Sequence, residues 1–271
     1  MKKYPMLALS ALFLVTPSLG IKGQAQEHQH KDTGGRQYYE GQLRLDRDRW
    51  YWQMPQRVMD ELDIGPGMNV ADIGAGIGYF TFMLSKRVGE TGKVYASDID
   101  EDALAFLDER RKDRGLDNIL TIRGKGDDPL IPKASVDLVL IVNTIHLVEK
   151  KAAFLHNIRN SLKENGKVVF VQWDAEKMDS ESSGWGSKDR ERYTMRTMLK
   201  TIYDADYEVV EIKDFLPMQL IYVCQPSAEA FSRLSSRAET FRKPGFQARI
   251  SRKRAMAFSR SSDASMISAS S

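Results

Sequence analysis

The chain has 271 residues, 42% of them hydrophobic and 28% charged, with a formal net charge of +3. That composition supplies a sizeable core and leaves no apolar stretch for a second membrane-crossing segment beyond the N-terminal one. A single cysteine, Cys224, excludes an intrachain disulfide and any cysteine-based metal site, and reads as a small buried hydrophobe.

The chain opens on MKKYPMLALSALFLVTPSLGIKGQA (residues 1–25): Lys2 and Lys3, an apolar run, then small residues around Gly23-Gln24-Ala25. This three-part layout predicts a secretory signal and hence an exported protein, because the apolar run is short for a membrane span. An uncleaved anchor that keeps the protein at a membrane surface is the alternative. Residues 26–44 read as a polar linker. Its His28 and His30 are two metal-binding side chains on a tail, too few to predict a metal site. Arg47, Arg49, Trp50, Tyr51 and Trp52 then cluster ahead of an amphipathic helix, PQRVMDELDI, with Pro55 at its start.

Residues 70–82, VADIGAGIGYFTF, carry the strongest signal. An apolar strand ends in Asp72, and Gly74, Gly76 and Gly78 lead into a helix-like segment. Glycines allow a sharp turn and close approach of a ligand, and the following helix N-terminus offers unpaired N–H groups. The dinucleotide fingerprint G-x-G-x-x-G spaces its third glycine differently. A carboxylate at Asp72 would also repel a pyrophosphate but suit an ammonium group. Together these residues resemble the first motif of the class I S-adenosylmethionine (SAM)-dependent methyltransferases, an acidic residue followed by G-x-G-x-G.

Downstream, KVYASDID (residues 93–100) reads as a second buried parallel strand ending in acids. A carboxylate at that distance suits a ribose diol, with Asp98 the first choice and Asp100 the second; Asp100 is also expected to cap the next helix. ILTIR then runs into a loop holding Gly124, Gly126, Asp127 and Asp128. The resemblance implies that Asp127 accepts from the adenine amino group, whereas by composition alone the loop is a plain turn. SVDLVLIVNTIHLV (residues 135–148) is the fourth strand, apolar enough to be covered on both faces. The stretch 152–174 gives a helix stopping at Asn165-Gly166, then a fifth strand, VVFVQW. The runs 207–225 form two strands joined around Leu216-Pro217, too tightly for anything but an antiparallel pair.

These elements predict an α/β fold: a doubly wound seven-stranded sheet, mostly parallel, with an antiparallel C-terminal hairpin and helices on both faces. The resemblance covers residues 45–225. It implies SAM as methyl donor, bound by Asp72, Gly74, Ala75, Gly76, Gly78, Asp98, Asp127 and Asn143. It also implies that the segment before the first strand folds over the donor, making Trp52 and Gln53 lid residues unless they only pack the helix on the sheet.

Methyl transfer from a sulfonium mainly needs positioning, so no catalytic residue is assigned. His146 is either a base or a packing residue. The loop 174–194, with Trp185 and Tyr193, is a place for a planar acceptor to stack. Where amino-group methylases of bases carry Asn/Asp-Pro-Pro-aromatic, this chain has NTIH (residues 143–146), which argues against a nucleic-acid acceptor. The tail, residues 226–271, is Ser/Arg-rich and read as disordered. Its stretch 228–271 holds nine Lys/Arg against three Asp/Glu, a charge of +6 on a body of −3. The expected function is methyl transfer from SAM to a small molecule. A SAM-binding protein of the same fold that transfers nothing is the alternative.

Overall fold

The computed structural model describes residues 34–177 and 194–227. The signal segment, His28, His30, Trp185, Tyr193 and the tail from residue 228 lie outside the described residues. The described chain forms helices α1 (Gly34–Gln53) and α2 (Pro55–Glu61), strand β1 (Asn69–Ile73), α3 (Tyr79–Val88), β2 (Lys93–Asp98), α4 (Glu101–Asp113), β3 (Ile119–Arg123) and β4 (Val136–Val142). A 3-10 turn (Ile145–Leu147) follows, then α5 (Lys151–Ser161), β5 (Leu162–Trp173), α6 (Met195–Asp204), β6 (Tyr207–Lys213) and β7 (Gln219–Pro226).

One seven-stranded sheet has the order β3-β2-β1-β4-β5-β7-β6. Strands β1 to β5 pair in parallel, and β7 runs antiparallel to both of its neighbours. The predicted architecture is therefore the observed one. Apolar residues at alternating strand positions divide between two cores, one per face. Ala71, Val139 and Phe170 pack with α5 and α6 on one side, whereas Val70, Leu140 and Val169 pack with α2 and α3 on the other. After β1 the chain crosses to β2 on one side, and β4 lies on β1's other side. Such a switch point opens a crevice at the carboxyl ends of these strands.

Two elements differ from expectation. Helix α1 begins at Gly34, inside the stretch read as a polar linker, and runs unbroken to Gln53. Helix α5 ends at Ser161, ahead of Asn165-Gly166. Leu162 is already extended and pairs with Val136, and Asn165, at φ +64°, sits in an irregularity before the main run of β5. Helix α2 starts with Pro55 in its first turn, as predicted. No helix among the described residues is long and apolar enough to cross a membrane.

Candidate functional site

The site is built where β1 hands over to α3. Asp72, at the penultimate position of β1, is only 3% exposed. Among the described residues its hydrogen-bond donors both come from Thr81: the hydroxyl, which donates to Oδ2 at 2.6 Å, and the backbone N–H. Burial pushes the Asp72 carboxyl up to about 6; the Thr81 bond pulls the other way and the charge of Asp98 adds to the rise. The loop after it is pinned to β2, since the N–H groups of Gly74 and Ala75 both donate to the Ser97 carbonyl.

The three glycines of this loop serve different ends. At Gly74, with φ +74°, a Cβ would collide with the Thr144 side chain, so this glycine lets β1's loop close on the one after β4. At Gly76, with φ +51°, an added Cβ would meet nothing within 4 Å, because the position faces the cavity. Gly78 instead caps α3, and a Cβ there would strike Phe82 and Leu107; it packs α3 on α4 and does not line the cavity.

Asp98 closes β2 and reaches back across the loop. Its Oδ2 accepts from the Gly76 N–H at 2.7 Å and its Oδ1 from the Asp100 N–H at 3.0 Å. Each oxygen keeps lone-pair capacity for a further donor. Burial raises its pKa, against these backbone donors. Asp100 caps α4, accepting from the N–H groups of Asp102 and Ala103, and also takes the Tyr39 hydroxyl of α1 at 3.0 Å.

Asn143, just past β4, adopts φ +50°, a conformation Asn tolerates. Its side-chain oxygen accepts from Gln219 Nε2 at 2.9 Å; Gln219 Oε1 accepts from Gln53 Nε2 at 3.1 Å; and Gln53 Oε1 accepts from Arg49 Nε at 3.0 Å. A chain of amides thus links α1, β7 and the β4 loop. Gln53 is fully buried inside it.

These groups surround a cavity of about 560 Å³. Helix α1 roofs it with Tyr39, Gln42, Asp46 and Arg49, at helical spacing on one face, and Trp52 one turn further on. The Arg49 guanidinium lies 3.9 Å above the Tyr79 ring, and Trp52 stacks on Trp173 at 4.9 Å. The Tyr79 hydroxyl is buried without a hydrogen-bond partner among the described residues, and burial lifts it to about 12.

Of the predicted residues, the structure gathers Asp72, Gly74, Ala75, Gly76, Asp98 and Asn143 around one cavity, together with Trp52. Asp127 is not among them. Gly124, Lys125, Gly126 and Pro129 line the cavity, but a tight turn, in which Lys125 N–H donates to the Asp128 carbonyl at 2.6 Å, carries Asp127 away. Its carboxylate sits 3.8 Å from Lys150 Nζ, and its backbone carbonyl takes the Asn157 amide. His146 does not line this cavity either; its Nδ1 lies 3.1 Å from Gln172 Nε2. Cys224 is fully buried, and burial raises its thiol.

Sequence reasoning missed Tyr39, Arg49, Tyr79, Thr144, Trp173 and Gln219. The lid expected of the segment around Trp52 pointed to this place, and the spacing of residues 39, 42, 46 and 49 could have extended it to a helix face over the loop.

The arrangement suits a ligand with three features. A cation would match the buried Asp72, a vicinal diol would fill the remaining acceptor capacity of Asp98, and a close-fitting body would lie over the bare backbone at Gly76.

Comparison with known proteins agrees. Residues 64–213, more than half of the chain, match a family model described as a methyltransferase domain. A ubiquinone/menaquinone biosynthesis C-methyltransferase of Shewanella pealeana is 29% identical over 109 residues, covering 40% of this chain and 43% of the relative. The nocamycin O-methyltransferase of Saccharothrix syringae is 29% identical over 113 residues, covering 42% of this chain and 40% of the relative. The aligned stretch thus spans less than half the length of either curated relative. Among solved structures, a SAM-dependent methyltransferase from Aquifex aeolicus superposes with a TM-score of 0.61 at 25% identity, covering 68% of this chain and 96% of that one.

Proposed function

The chain belongs to the methyltransferase domain family, and from that premise we propose that it transfers the methyl group of SAM to a small molecule. The observation that carries this reading is the pair of cavity-lining carboxylates around the glycine loop, Asp72 held near pKa 6 by burial and Asp98 braced by two backbone N–H groups. When bound, SAM supplies an activated methyl: an acceptor lone pair bonds to the methyl carbon, the carbon–sulfur pair stays on sulfur, and any displaced acceptor proton leaves to water.

The residues divide the remaining work. Asp72 would balance the ammonium of the donor, and Asp98 would accept from its ribose hydroxyls. Gly76 leaves room for its body, and Arg49 on α1 brings a cation to the same enclosure. Helix α1 and the Trp52–Trp173 pair exclude water from the reacting atoms. Two curated relatives are named for a C-methylation in quinone biosynthesis and an O-methylation of nocamycin, which supports a small-molecule acceptor here.

Titration calorimetry with S-adenosylhomocysteine tests the donor site, and methyl transfer from labelled SAM into fractionated small-molecule extracts tests the reaction. Binding with label incorporated into at least one fraction is expected. Binding without transfer to any fraction would leave a SAM-binding protein that is not an enzyme. The basic-then-apolar N-terminus supports export, and fractionation of cells producing the full chain tests it.

A further inference from the structure

A second cavity, of about 380 Å³, adjoins the first. Leu147 and Val148 line both, so the short 3-10 turn after β4 is the partition between them. On its far side stand His146, Gln172, Thr197 and Thr201, from the β4 loop, β5 and α6.

Gln172 is the informative residue. Its side chain hangs from β5 and is only 2% exposed, yet the amide makes one side-chain hydrogen bond, with Nε2 lying 3.1 Å from His146 Nδ1. Oε1 is buried with no partner among the described residues. Whichever way the amide is turned, one of its two polar atoms stays unsatisfied. Buried polar atoms are paired in nearly all folded proteins, because an unpaired one forfeits its hydration and gains nothing in return. Gln172 also lines the open cavity, so a turn of its side chain would present this unpaired oxygen to a ligand there.

The rest of the lining narrows the ligand's chemistry. Ile145, Leu147, Val148 and Met198 supply apolar walls. Two charges of opposite sign, Glu149 and Lys151, border the cavity, and the Lys151 ammonium already donates to the Val148 carbonyl at 2.6 Å. Neither sign of net charge is called for. Leu147 is 72% exposed and common to both cavities, which makes it the rim over which a molecule seated here meets the donor.

We propose that this second cavity seats the methyl acceptor, a neutral molecule with an apolar body and a hydroxyl group that donates to Gln172 Oε1. The proposal rests on the methyltransferase reading above. Gln172 is a specificity-determining residue in it: the amide selects the acceptor and takes no part in the bond changes.

The full chain, saturated with S-adenosylhomocysteine, is titrated with phenol, 2-naphthol and 1-octanol. Binding is followed by calorimetry and by the NMR signals of the Gln172 side-chain amide. At least one probe is expected to shift those signals. Gln172→Leu and Gln172→Met should each weaken that probe at least tenfold, with S-adenosylhomocysteine affinity within twofold of wild type. Either substitution should change the Tm little, since the lost hydrogen bond to His146 is offset by removal of an unpaired polar atom; a purely structural glutamine would give a clearly lower Tm and unchanged probe affinity. The proposal is overturned if S-adenosylhomocysteine binds but no probe moves the Gln172 signals, or if both variants bind the probe as wild type does. Failure of S-adenosylhomocysteine itself to bind would sink the donor site, and this proposal with it.

Discussion

Asp72 and Asp98 are both raised by burial, but their surroundings give them different tasks. Asp98 is steadied by the backbone N–H groups of the loop and of its own strand end, whereas both donors to Asp72 belong to one residue, Thr81. The folded-state value of Asp72, about 6, lies above its ordinary value of 3.8. Its contribution to the stability of the free protein is therefore full below about pH 4 and is lost as pH rises through about 6. A cationic ligand reverses the preference by favouring the ionised form. SAM should then bind about tenfold more weakly at pH 5 than at pH 7, and Asp72→Asn should flatten that profile in calorimetry. An affinity that ignores pH in the wild type would remove Asp72 from the ammonium role. The glycines separate in the same way. Gly74→Ala drives a Cβ into Thr144 and should lower the Tm, whereas Gly76→Ala meets no protein atom and should weaken S-adenosylhomocysteine more than it weakens the fold, at a backbone cost of about 1 kcal/mol for its positive φ. Thermal melts and calorimetry on the two variants check this; equal Tm losses with unchanged affinity would show that neither glycine faces the ligand. Asp72 and Asp98 were legible because an acid ending a buried strand lands in the crevice. Asp127 stands outside the cavity lining because a tight turn from Lys125 to Asp128 sets its direction, and loop composition does not encode that turn.

Helix α1 is the element that composition hid. Half of its residues are charged or amide side chains, Asp and Arg alternate over residues 46–49, and no apolar stripe announces a buried face. What holds it is supplied by other elements. Tyr39 donates to Asp100, the cap of α4; Arg36 pairs with Glu109; Trp52 stacks on Trp173; and Gln53 is buried against Gln219. Tertiary contacts of this kind outweigh weak intrinsic propensity. Tyr39→Phe deletes one hydrogen bond to a carboxylate, worth about 1 kcal/mol, so backbone amides in the first half of α1 should exchange about fivefold faster. Hydrogen-exchange mass spectrometry measures this. Unchanged exchange there would mean that Asp100 does not hold the helix down. The strands were easier to read, since β4 is apolar at nearly every position and two-sided burial leaves no other choice.

Roof, glycine loop and sheet ends enclose one cavity, so a ligand filling it should tighten all three together. At S-adenosylhomocysteine concentrations about 100-fold above Kd, the stability gain is about 2.7 kcal/mol, which for a body of this size raises the Tm by roughly 5–10 °C. Scanning fluorimetry reads the shift, and protection from exchange should rise in α1 as well as in the β1–α3 loop. A shift confined to the loop would show that α1 is not a roof in solution. The linear order of residues was enough to identify the parallel sheet, the reversed last strand and the SAM-type loop, because strand burial and the run Asp72–Gly78 are local patterns with few physical solutions. It was not enough to extend the expected lid into a helix reaching back to Gly34, to bring Asn143, Gln219, Gln53 and Arg49 into one hydrogen-bonded chain, or to leave Gln172 Oε1 unpaired beside a second cavity. Those depend on contacts between residues up to 166 positions apart, and packing in three dimensions, with no local periodicity to announce it, selects which of them meet.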